Sequence, residues 1–273
     1  MKKQQLITEL QSYGLRLESA AVGAKGRRGG AGPSDHKAVT VDGTTVMVPI
    51  YTGTASQSPY TAELIEGSHQ ATLTRATTSV ADIEFPVQPK FYGLTTADGI
   101  PYWKIALLHS HDVLATTVQQ TCLRYRDEST ACQFCAIEKS LDQGRTIARK
   151  TPEQLAEVAA AAVRLDGVSN MIMTTGTPNH SDRGAAYLAE CARAIKARVN
   201  LPIQAQCEPP DDFVWFERMK QAGIDSLGMH LEAVAPAIRA KIMPGKAAVP
   251  VSVYFEAFAA AVNVFGWAQV STY

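Results

Sequence analysis

The sequence predicts an α/β fold, with a parallel sheet of repeated strand-helix units over residues 105–273 and an N-terminal extension over residues 1–104. Three observations carry this. From Ile105 onward, short apolar β-branched runs alternate with amphipathic helical stretches. Strands joined in sequence through helices pair in parallel by right-handed crossovers. The first hundred residues differ in texture, with a Gly-rich run and short β-like segments.

Residues 23–35 read GAKGRRGGAGPSD, too rich in Gly for a regular element. No Gly-Lys-Ser/Thr follows and no helical pattern opens after it, so the run reads as a mobile loop over a substrate more than as a phosphate cradle. Residues 38–41 and 45–51 are β-like, and Pro86, Pro89 and Pro101 punctuate the stretch before Trp103, where the boundary falls. Residues 105–108 and 113–118 read as buried parallel strands that run into a cysteine loop. Thr151-Pro152-Glu153-Gln154 is a capping-box start, and Leu155, Val158, Ala162 and Leu165 form one face before Gly167 stops the helix. A strand at 171–174 precedes a helix from about Arg183 that carries Leu188, Cys191, Ala192, Ile195 and Val199 at helical spacing. Next come a strand at 202–206, a helix capped by Asp211 or Asp212 and ended by Gly223, and a strand at 224–231. A helix at 254–265 and strand character at 268–273 complete the pattern. Such a sheet closes toward a barrel or stays open and doubly wound; in both, chemistry gathers at the C-terminal strand ends.

Lys plus Arg equals Asp plus Glu at 26 each, so no global field draws the chain toward nucleic acid or an anionic membrane. The longest apolar stretches fall far short of the roughly 20 residues that cross a bilayer, and residues 1–10 lack the apolar core of a signal peptide. The expectation is a cytoplasmic protein with neither a nucleic-acid nor a membrane partner. Of five cysteines, three fall within fourteen residues, which argues for metal or cluster ligation in a reducing compartment.

Those three are Cys122, Cys132 and Cys135, spaced by nine residues and then two. Closed structural zinc sites and ordinary ferredoxin sites use four protein ligands, so three thiolates leave one metal position open. His109 or His111 would complete a zinc site from upstream. Three separate buried cysteines are a further alternative, opposed by the polar Arg124, Arg126, Asp127 and Glu128 between them.

The cysteine constellation resembles the radical S-adenosylmethionine (SAM) superfamily, in which three cysteines on the loop after the first barrel strand hold three irons of a [4Fe-4S] cluster. SAM binds the fourth iron. The nine-residue first gap departs from the usual three, while Phe134 fits the aromatic that precedes the last cysteine and lies near the adenine; packing against the barrel is its alternative. Thr174-Thr175-Gly176-Thr177 stands where the family has the Gly-Gly-Glu-like segment that accepts from the SAM ammonium, or else is a plain turn. Met229-His230-Leu231-Glu232-Ala233 resembles the strand end that grips the ribose hydroxyls in biotin and lipoyl synthases, with His230 in place of an Asn. Further strings, including CAIEKSL, RKTPEQLAEVA, QAQCEPP and SLGMHLEA, look like a biotin-synthase-related family encoded beside nitrilases in bacterial gene clusters.

The resemblance implies a partial (β/α) parallel barrel and an enzyme that reductively cleaves SAM at the cluster to start radical chemistry on a small molecule, with a role in nitrile or cyanide metabolism. It implies a one-electron donor such as a flavodoxin or ferredoxin. The competing reading is a non-catalytic iron-sulfur or zinc-binding protein built on the same cysteines. Glu208 lies at a strand end, to bind a substrate amine, hold SAM or cap the next helix, and Cys207 beside it is a possible auxiliary ligand or a plain core thiol. Cys191 sits on an apolar helix stripe and reads as core. Arg145, Arg149 and Lys150 could neutralise the SAM carboxylate, although solvated charge suits at least two of them. Lys246, in the string MPGK, could form a Schiff base or anchor an anionic group, but Pro244-Gly245 beside it reads equally as a turn, and Lys246 stays outside the site. Five strands against the superfamily's six lead to the expectation of a chain truncated at its C-terminus, binding SAM poorly.

Overall fold

The computed structural model describes residues 2–18, 35–65, 68–109 and 111–273. Apart from Asp35, the Gly-rich run lies outside the described residues. Helix α1 (Lys3–Tyr13) buries Leu6 and Leu10. Strands β1 (Arg16–Leu17), β2 (His36–Val41), β3 (Thr44–Pro49), β4 (Tyr60–Leu64), β5 (Gln70–Arg75) and β6 (Thr78–Glu84) form a sheet in the order β1-β4-β5-β6-β2-β3. All neighbours are antiparallel except β1 with β4. The β2–β3 hairpin turns on Asp42-Gly43, both at positive φ (45° and 72°), as a two-residue hairpin loop requires. Leu10, Val39, Val48, Tyr60, Leu73 and Ile83 fill a core of its own beneath this sheet.

The second half begins with α2 (Tyr102–Ile105), β7 (Leu107–His109), β8 (Val113–Gln119), α3 (Lys139–Asp142) and α4 (Pro152–Asp166). It continues through β9 (Asn170–Thr175), α5 (Ala185–Arg198), β10 (Ile203–Gln206), α6 (Val214–Gln221) and β11 (Ser226–Gly228). Helices α7 (Pro236–Ile242), α8 (Pro244–Ala247) and α9 (Val251–Phe265) lead to β12 (Val270–Ser271). The strand order is β12-β11-β10-β9-β8-β7, with β8 to β12 parallel throughout. Sequential order without a reversal is the winding of a barrel, so the doubly wound alternative falls away and a curled half-barrel remains. Residues 105–108 depart from expectation. Their strand, β7, pairs antiparallel with β8, because the three intervening residues are far too few for a parallel crossover.

Helix α4 starts with the predicted capping box, Thr151 accepting from Gln154 N and the Gln154 side chain accepting from Thr151 N. On the outer face of the sheet, Leu114, Val118, Met171, Met173, Ile203, Ala205, Leu227 and Met229 pack into one core with Leu155, Val158, Leu188, Ile195, Phe216 and Phe265 from the helices. Phe91, Tyr102 and Ile105 join that same core. Asp166 accepts from the backbone of Lys90 and Phe91, and Glu157 from Tyr102 Oη, fastening residues 90–105 to α4.

Side chains alternate along a strand, so Thr117, Thr174, Gln204, Gln206, Ser226 and Gly228 face away from the helices. Toward the C-terminal strand ends this inner face is polar, unlike the branched apolar filling of a closed barrel. Thr117 and Thr174 share a hydrogen bond of 2.8 Å, and Gln206 Nε2 donates to Gln204 Oε1 at 3.2 Å.

Candidate active site

Four loops leave the C-terminal ends of β8, β9, β10 and β11. Gln206 pairs with Thr174 on one side and Gly228 on the other. Two residues further along, Gly176, Glu208 and His230 therefore emerge at one level on the inner face.

The cysteine loop follows β8. Cys122 and Cys132 are half-buried and Cys135 is exposed. Glu138, itself buried, clasps the start of the loop by accepting from Cys122 N (3.5 Å) and Arg126 Nε (2.7 Å). Leu123 N donates to Thr177 O at 2.9 Å, and Cys135 N to Cys132 O at 3.1 Å. Burial pushes the Cys132 thiol up to about 11, with the Lys246 charge opposing, and burial also raises Cys135. A metal displaces protons from thiols in this state, so assembly on them releases protons. Among the described residues no three His, Cys, Asp or Glu side chains converge closely enough to share one ion. A tetranuclear cluster differs from a single ion in placing each thiolate on its own iron.

At β9, Gly176 meets the cysteine loop itself. Its N–H donates to Gln119 O (2.8 Å), and a Cβ placed on it would lie 2.2 Å from Thr121 O. The close approach that glycine permits here is thus made by the backbone next to Cys122. Thr175 is turned back, its hydroxyl donating to Gly176 O at 2.7 Å.

At β10, one oxygen of Glu208 is fully engaged. Oε1 accepts from Thr177 Oγ1 at 2.7 Å and forms an ion pair with Arg124 Nη1, both side chains being largely buried. Oε2 is buried without a partner, and so is His230 Nδ1 at β11. Native structures pair such atoms, so two orphans on one tier mark a place for a ligand's polar groups. Burial, helped by the Lys246 charge, depresses His230 to about 4, leaving it neutral near pH 7. Its ring lies 4.5 Å from that of Tyr273. Glu232 follows, with its Oε1 3.2 Å from Lys246 Nζ.

The remaining candidates fall elsewhere. Phe134 is 54% exposed on the cysteine loop, so it does not pack against the barrel. His109 and His111 sit before β8, a seven-residue strand about 20 Å long, and His111 bonds Thr45 Oγ1 at 2.8 Å. Neither reaches the cysteines, which removes the zinc site they were to complete. Cys207 and Cys191 belong to the helix-facing core, and burial pushes both thiols up to about 12. They are inert at neutral pH. Arg149 is exposed and stacks on Tyr187 at 3.9 Å, whereas Lys150 is fully buried, donating to Thr117 O (2.6 Å) and Gln120 Oε1 (3.3 Å). Arg124 and Thr177 are the members that sequence reasoning missed, although both lie inside motifs already in view, and Lys246 of the MPGK string is one that it weighed and set aside.

The donor set fits a cluster-bound cofactor: three thiols, an unpaired carboxylate oxygen, an unpaired imidazole nitrogen and a second carboxylate share one mouth. Residues 126–264 match the model of the radical SAM superfamily. Cys132 and Cys135 lie inside the match and Cys122 just before it. The chain is 31% identical over 155 residues to the bacteriochlorophyllide c C-7(1)-hydroxylase of Chlorobaculum limnaeum, spanning 50% of this chain and 38% of that protein. The chain thus covers well under half the length of this relative. Methylornithine synthase (PylB) superposes with a TM-score of 0.43 at 16% identity, over 59% of this chain and 44% of that one. The FeFe-hydrogenase maturase HydG of Carboxydothermus hydrogenoformans gives 0.46 at 18% identity, over 59% and 35%. With the family's model matched across half its length, this chain belongs to the radical SAM superfamily.

Proposed function

We propose that the chain holds a [4Fe-4S] cluster on Cys122, Cys132 and Cys135 and reductively cleaves SAM at it, starting radical chemistry on a small molecule. The observation that carries this reading is the tier of Gly176, Glu208 and His230 beside the cysteine loop, with two buried polar atoms lacking partners. Bound there, the cluster would supply one electron to the SAM sulfonium, so that the bond it breaks starts hydrogen-atom removal from a substrate. The chain's own residues position and shield. Glu138 fixes the loop, Glu208 and His230 offer an acceptor and a neutral imidazole nitrogen, and Glu232 suits a vicinal diol because a carboxylate accepts two hydrogen bonds. In this reading the exposed ring of Phe134 covers the planar base, and Thr175 and Gly176 receive the ammonium on their backbone oxygens. A one-electron donor such as a flavodoxin or ferredoxin completes the reaction, in the cytoplasm. The strings shared with the nitrilase-linked family support a substrate in nitrile or cyanide metabolism.

Anaerobic reconstitution tests the reading. The unaltered chain should take up about four irons and four sulfides and release methionine and 5′-deoxyadenosine from SAM under reduction. Cys122→Ala, Cys132→Ala and Cys135→Ala should each lose the cluster, while Cys191→Ala should keep it. Full iron content in any of the first three sinks the assignment.

A further inference from the structure

Arg239 is 2% exposed, and its guanidinium donates to four backbone carbonyls. Nη1 reaches Leu231 O (3.0 Å) and Ala233 O (3.1 Å); Nη2 reaches Lys246 O (3.2 Å) and Val249 O (3.0 Å). One side chain thereby joins the exit of β11 to the end of α8. Glu232, between the first two carbonyls, has φ 66°, and Ala233 N closes a tight turn across it onto Leu231 O at 2.8 Å. A non-glycine residue keeps this disfavoured conformation where its surroundings over-determine it.

The other side of the α7–α8 segment is clasped by the cysteine loop. Gln133 N donates to Ile242 O (2.8 Å), Gln133 Nε2 to Lys241 O (2.8 Å), and Gly245 N to Thr130 O (3.1 Å). Gly245 is packed so closely that an added Cβ would lie 2.6 Å from Thr130 O. Thr130 lies in the long gap between Cys122 and Cys132, and Gln133 lies between Cys132 and Cys135. Both attachments converge on the next residue, Lys246, whose side chain is 10% exposed and whose ammonium pairs with Glu232 at 3.2 Å.

We infer that Lys246 is a positioning and electrostatic residue of the site, holding the Glu232 carboxylate in place and setting a fixed positive charge beside the thiolates of Cys132 and Cys135. The inference rests on the cluster reading above. In support, the residue before Lys246 bonds Thr130, two residues ahead of Cys132, and Gln133, between Cys132 and Cys135, bonds Lys241 and Ile242 of the same segment. Local net charge sets the reduction potential of an iron-sulfur cluster, and a cation favours the form that carries one more electron. Loss of Lys246 should therefore lower the potential, and should also release Glu232 from its hold.

The test uses the reconstituted full chain, with dithionite as the reductant in a potentiometric titration and SAM as the binding probe. Lys246→Met is expected to keep its iron, move the midpoint potential to more negative values and weaken SAM binding about tenfold, as loss of a hydrogen-bonded charged contact does. Lys246→Arg should restore the potential, and loss of the exposed Lys241 charge in Lys241→Met should not alter it. A cluster-loaded Lys246→Met with unaltered potential and affinity overturns the inference. Should that variant fail to load, Lys246→Arg decides, retained potential supporting the role and a shifted one overturning it. Failure of the unaltered chain to take up iron is a different result, overturning the cluster reading and this inference with it.

Discussion

Arg124 and Glu208 form a buried ion pair that ties the cysteine loop to the end of β10. With Arg124 removed, the Glu208 carboxylate would keep Thr177 as its donor in a low-dielectric setting. Breaking one partner of such a pair costs about 3–5 kcal/mol. Arg124→Met should lower stability on that scale, and replacing both partners by apolar residues should cost markedly less. Chemical denaturation of the two variants measures it, and equal losses would show that the pair is not the cause.

Glu232→Ala should weaken SAM binding, since a diol left without its charged acceptor forgoes about 1.5–3 kcal/mol. That corresponds to roughly a tenfold to hundredfold loss of affinity. Titration of SAM into the cluster-loaded protein decides. Unchanged affinity would place the ribose elsewhere.

The β9, β10 and β11 units are legible in the sequence because each strand is a short apolar run on the helix-facing side, followed by a turn and an amphipathic helix. The capping box at Thr151 is legible because its chemistry is local. Strands β4 to β6 are not, for Gln70–Arg75 and Thr78–Glu84 are mostly Thr, Ser and charged residues on a sheet with one wet face. The same holds for the site. Glu208 and His230 stand at strand ends and announce themselves, whereas Arg239 acts through four carbonyls, groups that every residue carries and no motif records. Lys246 reads as a turn residue until Arg239 and Gly245 bring it to Glu232.

His230 makes stability depend on pH. Its pKa in the fold is about 4, below the ordinary 6.5, because burial disfavours the charged ring. Between those values the unfolded chain binds the proton and the folded chain does not, so this contribution is whole above pH 6.5 and declines as pH falls toward 4. His230→Asn should flatten that part of the stability curve between pH 4 and 6.5. Denaturation midpoints across the interval would show it, and an unchanged slope would assign the dependence to other groups.

Gly176→Ala should damage the site from inside the barrel. The new Cβ would fall 2.2 Å from Thr121 O and 2.8 Å from Thr121 C, both backbone atoms that cannot rotate away. One chain must move, and Thr121 is the lighter-held of the two, since Gly176 is the continuation of β9 while Thr121 opens a loop. The displacement would carry Cys122 with it and strain its bond to Glu138 Oε1. Overpacking of this kind costs about 1–3 kcal/mol, so the variant should still fold. It should nevertheless take up less iron than the unaltered chain and show an altered cluster absorption, whereas Gly93→Ala, at a glycine with open space around its Cβ and no positive φ, should take up the full amount. Equal iron content in the Gly176 variant would mean that the cysteine loop tolerates the shift and that Gly176 does not govern its placement.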